Sequence, residues 1–203
     1  MTFPGRILGH ELRVLASLVL WVARRRHGVR EAAGERAFGH AKDQAATLYA
    51  LTFICAVEAF GMSVLLRDWA TVHAVVLVVH VYSVVLLIGV HAASVTHPHV
   101  LSPDALRVRQ GAHRDLRIPL ALVGAVRLER RFTHEVADGV LDVPVASTTS
   151  LTLELTGPVT DVGFLGRRRE VTTIRLHADD PKHLFTALTE RRPPPARPHA
   201  GAN

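Results

Sequence analysis

Two long apolar stretches joined by three residues restrict this chain more than any other feature. Ala45 to Leu66 carries one charge, Glu58, and Ala70 to Val95 carries none at neutral pH. As helices rising 1.5 Å per residue, each is about 33 Å or longer, enough to cross a hydrocarbon core of about 30 Å. Arg67, Asp68 and Trp69 fit only a tight helical hairpin loop, with Trp69 suited to a membrane interface. Hydrophobic residues are 48% of the chain and are bunched in these stretches, whereas a soluble domain would spread them at helix or strand period. The expectation is a transmembrane helical hairpin over residues 45–95, with Cys55, the one cysteine, inside its first span.

Charge orients the hairpin. Arg6, Arg13, Arg24, Arg25, Arg26, Arg30, Arg36 and Lys42 precede it, and Arg107, Arg109, Arg114 and Arg117 follow it, while the loop has Arg67 offset by Asp68. The positive-inside rule then predicts both termini in the cytoplasm and the loop outside, in a cell (plasma) membrane. The formal net charge of +6 is assigned to topology and anionic lipid, because the arginines flank spans or sit on strands without interleaved aromatics. Nucleic acid is not an expected partner.

Residues 1–44 read as a cytoplasmic amphipathic region. In a helix through Leu12 to Ala23, Arg13, Ser17 and Arg24 fall on one side and Leu12, Leu15, Val19 and Val22 on another, predicting an interfacial helix ended by Arg24-Arg25-Arg26. A tilted extra span is the alternative. Beyond His97-Pro98-His99 the period changes to two: Leu106 and Val108, Leu116 and Ile118, Val126 and Leu128, Leu151 to Leu155, and Ile174 and Leu176 alternate with polar residues. Residues 96–191 are therefore expected to form a small antiparallel sheet with one buried face, able to fold by itself. Asp179-Asp180-Pro181 supplies an N-cap and an N1 proline for a closing helix, and residues 192–203 read as a disordered Pro-rich tail.

The run Ser102-Pro103-Asp104-Ala105-Leu106-Arg107-Val108-Arg109-Gln110-Gly111, followed by Ile118-Pro119-Leu120 and Val123 to Val126, resembles the opening hairpin of bacterial pleckstrin-homology-like domains. Such domains are carried by small integral membrane proteins of actinobacterial type. The resemblance covers roughly 97–191. It implies an α+β architecture, a curved antiparallel sheet capped by a C-terminal helix, acting as a binding or assembly module without a reaction.

Catalytic signatures fail at the level of residue spacing. His10-Glu11 and His134-Glu135 lead to Val14 and Asp138 where a zincin helix needs its second histidine, and no phosphate-binding loop or nucleophile elbow occurs. No cofactor, metal site or enzyme activity is expected. His73, His80 and His91 fall within about 20° of one another around the second span, forming a polar stripe. Counting outward from the hairpin turn places Glu58 and His80 at nearly the same depth, and an unpaired carboxylate there would cost several kcal/mol or take up a proton. Contact between Glu58 and His80 is expected, fixing the register of the hairpin. Arg24, Arg25 and Arg26, with Arg167, Arg168 and Arg169, are the basic groups expected to meet anionic lipid headgroups. The functional expectation is a non-enzymatic membrane protein presenting a cytoplasmic module to a protein partner, to lipid or to its own copies. The alternative is an oligomeric transport or proton-relay subunit using Glu58 and His80.

Overall fold

The computed structural model describes residues 3–25, 27–112, 114–134, 137–163 and 167–191. The elements run α1 (Phe3–Val22), β1 (Arg36–Phe38), α2 (Lys42–Leu65), α3 (Ala70–Thr96), β2 (His99–Leu101), β3 (Ala105–Gln110), β4 (Arg114–Pro119), β5 (Val123–Arg131), β6 (Val140–Val143), β7 (Thr149–Val162), β8 (Arg168–Leu176) and α4 (Pro181–Arg191).

The three long helices form one layer with α3 in the middle, flanked by α2 and α1. Both α2 (24 residues) and α3 (27 residues) are long and apolar enough to cross a membrane. None of the residues of α2 is buried by protein, and those buried on α3, Gly89, His91 to Ser94 and Thr96, all lie in its last two turns. An apolar helix in the core of a soluble protein would be covered; most of α2 and α3 leaves its apolar side chains partly or largely exposed, the surface expected of membrane association.

The first helix departs from expectation. It runs alongside α3 and in the same direction: Glu11 accepts a hydrogen bond from Tyr82 (3.0 Å), and the His27 N–H donates to the Thr96 carbonyl (2.8 Å). Gly89 permits the approach, because a Cβ there would meet Val14 Cγ1 at 2.6 Å. Val14 and Ser17 are buried on this contact while Leu12, Leu15, Val19 and Val22 remain exposed. The apolar side expected for the helix is thus turned away from α3, and the polar Ser17 is turned toward it. Side-chain packing against α3 draws the helix along the hairpin.

The sheet module is also larger than expected. Its period-two segments appear as β3, β4, β5, β7 and β8, but they divide between two four-stranded sheets ordered β1-β2-β3-β4 and β5-β7-β8-β6. The pairs are antiparallel except β6 with β8, which run parallel. Leu106, Ile118, Leu151, Leu153, Ile174 and Leu176 fill the core between the sheets, and α4 closes it with Leu184 and Leu188. Asp180 caps α4 by accepting from the His183 N–H at 3.0 Å. A strand from before the hairpin enters this module: β1 pairs with β2, and Phe38 is buried in the common core.

The module is consequently tied to the helices. Arg109, which alternation assigns to an open face, is 2% exposed. Its Nη1 donates to the His27 carbonyl at 2.8 Å and its Nε faces Asp115 at 3.3 Å. Gly28, at φ +62°, lets the connector pass, since a Cβ would come within 2.8 Å of Arg109 Nη2. Both faces of β2 and β3 are thus covered, one by the core and one by the segment linking α1 to β1.

Candidate functional site

Three polar contacts cross the α2–α3 hairpin. Ser63 Oγ and His73 Nε2 are 2.8 Å apart, and Tyr49 Oη and His91 Nε2 are 2.9 Å apart. Between them, Glu58 Oε2 lies 3.9 Å from His80 Nε2, within ion-pair range and beyond a hydrogen bond. The histidine stripe of α3 therefore faces α2, and each histidine meets a polar side chain there. Tyr49 and Ser63 were not anticipated as its partners, although counting back from the turn would have reached both levels. His80 Nδ1 is 2.9 Å from the Val76 carbonyl and must carry a proton to donate to it. Nε2 is then a bare lone pair unless the ring is charged, so an attractive contact needs one further proton, on Glu58 or on His80.

A second set of histidines occupies the junction of helices and module. The Arg109 N–H donates to His99 Nδ1 (3.0 Å), which fixes the His99 proton on Nε2, where it reaches the His177 carbonyl (2.9 Å). Burial, foremost, and His40 hold the His99 pKa well below the ordinary imidazole value. Both nitrogens are occupied, so His99 cannot ligate a metal with His97 across Pro98. The ring of His40 stacks on His99 with centroids 4.5 Å apart, and neither of its nitrogens has a hydrogen-bond partner among the described residues. Burial, reinforced by His177 and His97, lowers its pKa to about 4. His177 Nε2 sits 3.4 Å from Asp43 Oδ2; burial lowers its pKa and Asp43 and Asp179 oppose that shift.

Beside this cluster a cavity of about 450 Å³ opens between the end of α1, the start of α2 and the end of α3. Arg24, Arg25 and Lys42 line it with one carboxylate, Asp179. Two of the expected lipid-facing arginines are thereby brought together with a lysine that the sequence did not single out; Arg26 lies outside the described residues. Trp21, Tyr49 and Val95 supply apolar wall, and His91 reaches the cavity from α3. The end of α1 is a Schellman turn: the Arg25 N–H donates to the Leu20 carbonyl and the Arg24 N–H to that of Trp21, both at 2.9 Å. Arg24 takes the left-handed position, φ +53°, usually held by glycine.

Arg167, Arg168 and Arg169 do not line this cavity. They stand at the turn end of β7 and β8, where Asp161 lies 3.4 Å from both Arg169 and Arg114. Arg114 follows the β3–β4 turn whose Ala112 carbonyl accepts from Arg13 of α1 at 3.3 Å. Among the described residues, no group of three or more His, Cys, Asp or Glu side chains is placed to hold a metal ion. Glu11 of the first His-Glu pair is spent on Tyr82, and Glu135 of the second lies outside the described residues. Comparison with family models, with curated proteins and with solved structures finds no match for this chain.

Proposed function

We propose that the chain is a non-enzymatic integral membrane protein in which α2 and α3 cross the bilayer and the two-sheet module, read as pleckstrin-homology-like, serves on the cytoplasmic side for interaction or assembly. The single observation that carries this reading is the exposed apolar surface of α2, a 24-residue helix in which no residue is fully buried. At roughly 25 cal/mol per Å², exposing that surface to water would work against folding, whereas lipid removes the cost. Arginine placement supports the orientation, since Arg24, Arg25, Arg30 and Arg36 cluster at the module end of the helices. The parallel course of α1 amends the expected topology: the cytoplasmic assignment applies to the connector and the module, while the start of α1 points back along α3 toward the Trp69 end. A closing helix and an opening β3–β4 hairpin support the pleckstrin-homology-like reading, and the parallel β6–β8 pair is a feature that such a module must accommodate.

Alkaline carbonate extraction of membranes from expressing cells tests the central element. The protein is expected to remain with the lipid pellet; quantitative release into the supernatant would contradict membrane integration. A second reading, an oligomeric proton relay, is favoured by one observation, the Glu58 side chain standing 61% exposed on the hairpin beside His80. Two or three helices cannot enclose a pore, so that reading requires several copies. A monomeric mass for the protein in nanodiscs would remove it.

A further inference from the structure

We propose that the junction cavity binds the headgroup of an anionic phospholipid from the adjacent leaflet, with Arg24, Arg25 and Lys42 gathering the phosphate. This inference rests on the reading of the chain as membrane-embedded and adds a specific site and ligand class.

Three observations converge on the cavity. Its volume, about 450 Å³, is in the range of about 300–1,000 Å³ that holds small organic groups. Its charged lining is three cations against the single carboxylate of Asp179, which already accepts the backbone N–H of Lys42 at 2.9 Å. No carboxylate among the described residues lies within ion-pair distance of the Arg24, Arg25 or Lys42 side chains, in contrast to Arg107, Arg109, Arg114 and Arg117 of the module, each of which has one. His91, 5% exposed, closes the inner end of the cavity with its ring held by Tyr49 Oη at 2.9 Å.

The source of the phosphate follows from the remaining wall. Trp21, Tyr49 and Val95 line the cavity from the three helices, and Tyr49 and Val95 keep 52% and 37% of their surface uncovered. A soluble anion has no use for an apolar flank; a glycerophospholipid presents phosphate and glycerol next to its acyl chains. Aromatic side chains with a polar end are suited to that same depth. Arginines matched to phosphate, at the level where the helices leave the apolar layer, complete the complementarity.

The test uses the full-length protein in phosphatidylcholine vesicles, with two single-tryptophan variants. Trp69→Phe leaves Trp21 in the cavity as the only tryptophan; Trp21→Phe leaves Trp69 at the far loop. Each is titrated with phosphatidylglycerol or phosphatidylcholine brominated on the acyl chains, which quench tryptophan on contact. Quenching of Trp21 is expected to favour brominated phosphatidylglycerol by roughly tenfold in relative affinity, falling to about one in Arg24→Gln/Arg25→Gln/Lys42→Gln, while Trp69 shows no such preference. Equal quenching of Trp21 by both lipids, with Trp69 quenched as well, would overturn the site and leave the membrane reading intact. No quenching of either tryptophan would overturn both. Selectivity surviving in the triple variant would remove these side chains from the site, and selectivity abolished by inorganic phosphate would assign the cavity to a free anion. The comparison between lipids is made in protein with its basic residues unaltered, so it does not depend on the triple variant folding.

Discussion

The histidines of the hairpin and the histidines of the junction are the same residue type put to opposite uses. On α3, His73, His80 and His91 each face a polar atom of α2, and the middle partner, Glu58, remains largely exposed on the helix surface. At the junction, His40 and His99 stack inside protein, and His40 has nothing to bond with among the described residues. The first arrangement is tolerant, because each imidazole has a polar side chain of the facing helix beside it. The second is intolerant, because a charge placed on either ring would sit among neighbouring imidazoles in a dry site. Polar groups in the bare region therefore align the helices, and those in the covered region clamp the helices to the module.

The largest expected effect breaks the clamp from the module side. Phe38→Ala removes a 4%-exposed ring that the connector inserts into the core, and should lower stability by about 3–5 kcal/mol in thermal or denaturant unfolding of the purified protein. A fragment covering 96–191 alone lacks β1 altogether and should unfold with less cooperativity than the intact chain. A fragment as stable as the whole would show that the clamp is incidental.

Next in size is acid. The pKa of His40 falls from its ordinary 6.5 to about 4 on folding, so below pH 6.5 the unfolded chain takes up a proton that the folded chain refuses. The stabilisation is complete above about pH 6.5 and is lost progressively as pH falls toward 4, by about 3 kcal/mol for this group. His99 and His177 are shifted in the same direction and steepen the loss. His40→Leu should flatten the melting temperature between pH 6.5 and 4; an unchanged slope would place the acid sensitivity elsewhere.

Much of the helix layer was legible because lipid imposes a length and a composition that residues 45–95 satisfy without help from the rest of the chain. The strands β3, β4, β5, β7 and β8 were legible for a similar reason, each having one apolar face. What could not be read was whatever depends on a distant partner. β1 and β2 are three residues each, too short for a period to register, and exist through pairing, β1 with β2 and β2 with β3. Arg109 follows the alternation of β3 and is nevertheless buried, because the connector covers the face that alternation leaves open. Of the junction cavity, the sequence showed Arg24 and Arg25 as a run of charge; Lys42, Tyr49 and His91 come to it from two other helices, and no spacing along the chain records that meeting.

The hairpin side of the comparison predicts a smaller effect. Glu58→Gln and His80→Gln, singly and together, should couple by about 0.5–1.5 kcal/mol in thermal stability, in line with polar pairs between membrane helices. Strict additivity would mean that the 3.9 Å approach carries no interaction. Smallest is Arg24→Gly, which relieves a left-handed arginine at the end of α1 and should stabilise by about 0.5 kcal/mol after the entropy of glycine is counted. The same change should weaken phosphatidylglycerol selectivity at Trp21, separating strain from binding.

The central proposal is that the hairpin crosses a membrane with the module on its basic side. In a Cys55→Ser background, a membrane-impermeant maleimide applied to intact cells reads this directly through Asp68→Cys in the loop and Lys182→Cys on α4, both exposed positions. Labelling at position 68 in intact cells, and at 182 only after permeabilisation, is the predicted result. Labelling at 182 with protection at 68 would invert the molecule, and labelling of both in intact cells would contradict the membrane-spanning hairpin.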